Sequence, residues 1–148
     1  MTTSAVPTST ASSSSTAAAN PPLDRRIVMS GLWVSMLFVF AYVDIFGFFR
    51  ADVINGALTG TVPGVGFNID QTFLALTTLY ILIPSLMVAG SLLLPYRYNR
   101  LANLVLPGIY ALTIVGGMIG ETWAYYLIGS GVELVLLGAI AIVAIRWR

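Results

Sequence analysis

Neither cysteine nor histidine occurs in the 148 residues. Their absence excludes disulfides, thiol redox chemistry, and thiolate or imidazole metal sites. It also excludes haem held by His or Cys, quinone-linked disulfide exchange, and the Ser–His pair that activates many intramembrane nucleophiles. Lysine is missing as well, so all seven basic residues are arginine, a usage that fits a GC-rich bacterial genome. Charge of either sign is scarce. Only 9% of residues are charged, against about 25% in a typical soluble domain. A net charge of +1 offers no electrostatic footprint for nucleic acid.

What the chain has instead is apolar length. Hydrophobic residues make up 57%, and the mean hydropathy is +0.89. A hydrocarbon core about 30 Å thick needs about 20 helical residues to cross it. Four runs meet that need, at about 27–49, 72–94, 101–119 and 124–145. They predict an all-α fold, a four-helix transmembrane bundle forming one domain over 24–148. Residues 1–23 are dominated by Ser, Thr and Ala and read as a disordered tail, because they cannot bury enough apolar area to offset their ordering entropy. The tail lacks the basic start and apolar centre of a secretory signal.

The second and third runs flank a short basic link, Tyr96-Arg97-Tyr98-Asn99-Arg100, and predict a helical hairpin that fixes the topology. In a four-span arrangement Arg25, Arg26, Arg97, Arg100, Arg146 and Arg148 fall on one side and Arg50 alone on the other. The positive-inside rule then gives an N-in/C-in, multi-pass protein of a bacterial plasma (inner) membrane, with those six arginines as lipid and topology anchors.

Local signals refine the picture. Asp24 and Asp70 stand where N-caps belong. The loop 51–70 has a first half suited to a short interfacial helix and a Gly- and Pro-rich second half suited to turns. Its Gly64-Val65-Gly66 follows no strand and opens no nucleotide fold, so a phosphate loop is discarded. Pro84 and Pro107 fall inside spans. Proline removes a donor, and Pro84 frees the carbonyl of Tyr80. Gly116 and Gly120 form a G-x-x-x-G pair that predicts close helix packing. Gly131, Gly138 and Ala141 share a second packing face. Trp123, Tyr125 and Tyr126 suggest an interfacial aromatic belt. The spans differ in their prolines and glycines, which argues against an inverted-repeat transporter.

Three short elements, Tyr42-Val43-Asp44, Ile83-Pro84-Ser85-Leu86-Met87 and Tyr98-Asn99-Arg100-Leu101-Ala102-Asn103, resemble an uncharacterised family of small bacterial integral membrane proteins, domain of unknown function 6326. The resemblance covers 27–145. It implies a four-helix membrane protein without assigned activity, and it supplies no substrate, cofactor or catalytic residue. Ser85 departs from the apolar residue expected after the proline.

Two carboxyls lie inside spans. Asp44 sits about 7 Å below the far end of its helix and Glu133 about 14 Å below the same surface, at 1.5 Å per residue. Ionisable groups at such depths are costly and usually face a bundle interior. With Tyr42 and Tyr110 they form a candidate proton or substrate site. The alternative is structural: Asp44 bonded to Tyr42 or paired with Arg50, and Glu133 bonded to Tyr110, Thr113 or Ser35. Neither catalytic pairs nor metal ligands nor cofactor motifs stand in the chain, and no Gly-x-Gly-Asp element occurs in a span. The expectation is therefore a non-enzymatic membrane protein without cofactor, acting through helix–helix contacts as a homo-oligomer or accessory subunit, with membrane lipid as its surroundings. The second reading is a small proton-coupled carrier or efflux protein using Asp44 and Glu133. A carrier requires a cavity reaching Glu133, and a structural role requires Glu133 sealed by neighbours.

Overall fold

A computed structural model of the chain describes residues 23–147. The tail 1–22 and Arg148 lie outside the described residues. Among the described residues five helices follow one another: α1 Arg25–Gly47, α2 Ala51–Thr59, α3 Gln71–Leu93, α4 Tyr96–Met118 and α5 Ala124–Ile145. All but α2 are long and apolar enough to cross a membrane. Both expected carboxylate caps form. Asp24 Oδ1 accepts from Arg26 N at 2.8 Å, and Asp70 Oδ1 accepts from Phe73 N at 2.8 Å. A short helix, α2, forms in the first half of the loop, and Gly60 ends it with φ of 74°, a left-handed conformation open to glycine.

The core comes from helical spacing. Met29, Trp33 and Met36 recur at i, i+4, i+7 on α1, and Glu133, Leu137, Ile140 and Ala144 recur likewise on α5. Outward positions are bare hydrocarbon; Leu112 is 76% exposed and Val135 71%. A surface this apolar is untenable in water and ordinary in lipid.

Helices α1 and α5 form the centre. Helix α3 packs on α1 and α4 packs on α5, while the backbones of the consecutive helices α3 and α4 stay further apart. The hairpin expected to organise the chain is thus joined by two residues, Leu94 and Pro95, and its helices meet through side chains rather than by close backbone packing. Helix α4 also begins earlier than expected, so the basic link is its first turn. Asn99, part of that link, and Asn103, one turn further on, are fully buried.

The seam between α3 and α4 is closed by hydrogen bonds. Pro84 leaves the Tyr80 carbonyl without its helical donor, and the Tyr110 hydroxyl donates to that carbonyl. The Tyr80 and Thr113 hydroxyls lie 2.6 Å apart. At the end of the bundle where α1 begins and α5 ends, the termini side, Arg25 donates to the Arg146 carbonyl and Arg26 to the Leu92 carbonyl. Guanidinium groups there satisfy the carbonyls that helix C-termini leave open.

The glycine expectation needs correction. A Cβ at Gly116 would meet no neighbour within 4 Å, and Gly120 lies past the end of α4 with φ of 83°. That pair packs no helix within the chain; neither do Gly131 and Gly138. Close approach occurs at Gly129 instead, where an added Cβ would overlap Val43 Cγ2 of α1. Valine is stiff at χ1 and cannot swing aside freely. Gly129→Ala is expected to cost about 1–3 kcal/mol of stability through overpacking, read as a lowered unfolding midpoint in detergent. Val43→Ala in the same chain should restore most of it.

Candidate functional site

Helix spacing brings the two intramembrane carboxyls together. On α1, Phe40, Val43 and Asp44 share a face; on α5, Tyr126, Ser130 and Glu133 fall at i, i+4, i+7. Because α1 and α5 are neighbours, these faces meet and enclose a cavity of about 140 Å³, completed by Tyr80 of α3 and by Thr113 and Ile114 of α4. All four long helices contribute. Glu133 is 2% exposed and its Oε1 is buried with no hydrogen-bond partner. Asp44 is exposed. The cavity therefore runs from an open mouth at Asp44 to a closed end at Glu133.

The lining carries two carboxyls, the hydroxyls of Tyr80, Thr113, Tyr126 and Ser130, and no arginine. Arg50, considered as a partner for Asp44, is engaged elsewhere. It pairs with Asp52 at 2.6 Å and Glu121 at 2.8 Å, and its guanidinium lies 4.8 Å from the Trp123 ring centre. The hydroxyls proposed for Glu133 are engaged too. Tyr110 serves the Tyr80 carbonyl, Thr113 donates to the Tyr110 carbonyl at 2.8 Å, and Ser35 donates to the Gly31 carbonyl at 3.0 Å.

Of the sequence candidates, Asp44 and Glu133 are brought to one cavity. Tyr110 borders it indirectly, its ring 4.7 Å from that of Tyr80. Tyr42 stays outside; it is exposed and stacks on Phe46. The sequence reading missed Tyr126 and Ser130 as cavity residues. The spacing 126, 130, 133 was the available signal, once α5 is taken as a helix with Glu133 facing inward.

A larger and more open groove of about 610 Å³ lies beside the cavity, along the loop-side half of α3. Phe67, Phe73 and Leu76 line it, with Asn68, Asp70, Thr72 and Thr77 contributing polar atoms. Tyr80 belongs to both the groove and the cavity.

Toward the termini the cavity is closed. Trp33, Met36, Leu137 and Ile140 are at most 1% exposed. Below Trp33 lies a sealed polar chain: Trp33 Nε1 donates to Asn103 Oδ1 at 2.7 Å, Asn103 Nδ2 donates to Asn99 Oδ1 at 2.7 Å, and Asn99 Nδ2 donates to the Ser91 carbonyl at 2.7 Å.

At the opposite end Arg50 clamps the start of α2 to the α4–α5 turn. Hydrogen bonding from Arg50 holds the Asp52 carboxyl below its ordinary range. Arg50 does the same for Glu121, aided by the backbone N–H groups of Trp123 and Thr122. Carboxyls with depressed values stabilise the fold above their unfolded-state values and lose that contribution as pH falls through the folded ones. The unfolded values are 3.8 and 4.5. The clamp is therefore expected to hold at neutral pH and to open only below about pH 4. Trp123 fluorescence reads this, and Glu121→Gln should abolish the acid transition.

A family model described as a family of unknown function, DUF6326, matches residues 22–148. The match bears out the resemblance carried by the Tyr42, Ile83 and Tyr98 elements and extends it at both ends. No curated protein and no solved structure matches the chain.

Proposed function

The chain belongs to the DUF6326 family, and from that premise we propose that this small multi-pass membrane protein is a proton-coupled carrier, non-enzymatic and without cofactor, whose coupling groups are Asp44 and Glu133. One observation carries the reading: Glu133 sits at the closed end of a cavity, shared with Asp44, with a buried oxygen that no protein group satisfies. A carboxyl kept only for structure would be bonded by its neighbours, since an unmet buried polar group costs about 1–3 kcal/mol. A site that must take up and release a proton or a ligand has reason to keep that oxygen free.

The distribution of arginine supports an orientation. Arg25, Arg26, Arg97, Arg100 and Arg146 stand at helix ends on the termini side, and Arg50 stands on the other. The positive-inside rule then puts both termini in the cytoplasm of a bacterial inner membrane, so the mouth at Asp44 faces outward.

The test is charge displacement on a solid-supported membrane bearing the full chain. A pH jump should produce a transient current from protonation of the pair, larger than that of protein-free membranes. Absence of any current, on pH jumps and on concentration jumps of an amine, a carboxylate and a neutral amide, would overturn the reading. The second reading, action through helix contacts, draws on Gly116, Gly131 and Gly138, whose small faces meet nothing within 4 Å. A stable homo-oligomer without pH-jump currents would favour it.

A further inference from the structure

We propose that the ligand of this site is an amphiphilic organic cation, an ammonium carrying an apolar arm. The inference rests on the carrier reading and names its substrate class. Three observations converge on it. The cavity holds two carboxyls and no arginine, so a cation meets attraction without a competing positive charge. Glu133 lines it, and the Oε1 of that carboxyl is buried without a hydrogen-bond partner. Its walls include the rings of Phe40, Tyr80 and Tyr126, and aromatic faces attract cations, most strongly where water is excluded.

Size and surroundings set the rest. A water molecule takes about 30 Å³ in the liquid, so a cavity of about 140 Å³ admits a head group of a few non-hydrogen atoms and not a bulky one. The adjoining groove of about 610 Å³ is walled by Phe67, Phe73 and Leu76, and it shares Tyr80 with the cavity. An ammonium seated between Asp44 and Glu133 can extend an apolar arm past Tyr80 into that groove. The charged groups beyond the cavity do not compete: Arg50 is held by Asp52 and Glu121, and Asp70 caps α3.

A single carboxyl pair serving both proton and ammonium couples the two. The cation displaces a proton on binding, and a rise in proton concentration displaces the cation. The test uses the full chain in detergent or nanodiscs with three probes sharing one arm: phenethylammonium, phenylacetate and phenethyl alcohol. Calorimetry and a pH dye report binding and proton release. Phenethylammonium alone should bind and release up to one proton, and its dissociation constant should rise about tenfold per unit fall in pH over the competing range. Because the native chain gives this result, it does not depend on a variant folding; Asp44→Asn and Glu133→Gln should then each weaken binding at least tenfold. Equal binding of all three probes would overturn the proposal, leaving an apolar groove without charge recognition. So would pH-jump currents persisting with no phenethylammonium binding, which would keep the carrier and reject the cation. Loss of both would remove the carrier reading as well.

Discussion

Glu133→Gln is expected to reduce the pH-jump charge displacement to below about a tenth of the native value while leaving the fold intact. Glutamine is nearly isosteric, and Glu133 Oε1 has no hydrogen-bond partner among the described residues, so the substitution breaks no bond at that atom. It removes the proton-binding group at the closed end of the cavity. Asp44→Asn is expected to act differently. Whereas Glu133 is buried, Asp44 is exposed at the mouth. Its loss should slow entry severalfold and leave a residual displacement from Glu133. Equal effects would show that the two carboxyls titrate as one unit. A native signal in Glu133→Gln, from a chain with an unchanged unfolding midpoint, would remove Glu133 from the mechanism.

Asn103→Ala is expected to be the most destabilising of the polar substitutions, by about 3 kcal/mol. It strips two partners at once: Trp33 Nε1 loses its acceptor and Asn99 Oδ1 loses its donor, in a region where all three side chains are fully buried. Each orphaned group forfeits about 1–3 kcal/mol where no water can replace the bond. Hydrogen bonds between membrane helices average only about 0.6 kcal/mol in double-mutant cycles, so the network decides the size of the effect. A cycle of Trp33→Phe with Asn103→Ala should give a coupling of about 1 kcal/mol, read from unfolding midpoints in a denaturing detergent. A loss under about 0.5 kcal/mol for Asn103→Ala would mean that the cluster is hydrated and the termini half of the bundle is not sealed.

The elements of this fold were readable one at a time. The four long helices, both aspartate caps, the short helix α2 and the carbonyl freed by Pro84 all follow from local rules, although α4 begins at Tyr96, ahead of its expected start. Pairing was less readable. Helices bound for lipid are apolar on most of their circumference, so no polar stripe marks the side that packs. The G-x-x-x-G pair looked like a contact and is none among the described residues, while Gly129, in no such motif, closely approaches Val43. Asn99 looked like part of a surface link because Asn and Arg favour loops, and Asn103, the acceptor for Trp33, lies 70 residues away from it in sequence. The site was half legible. Asp44 and Glu133 stand out because carboxyls inside spans are costly. That they share one cavity depends on α1 and α5 being neighbours, which no local pattern states.

The most direct test exploits a chain without cysteine. Ser130→Cys places one thiol in the cavity wall beside Glu133, and a membrane-impermeant thiol reagent can be offered from either face of oriented vesicles. The expected result is modification from the loop side, slowed by phenethylammonium, with none from the termini side, where Trp33, Met36, Leu137 and Ile140 close the bundle. A thiol unreactive from both faces, in a chain with a native unfolding midpoint, would contradict a carrier site at Glu133 and leave the carboxyl as a sealed structural group.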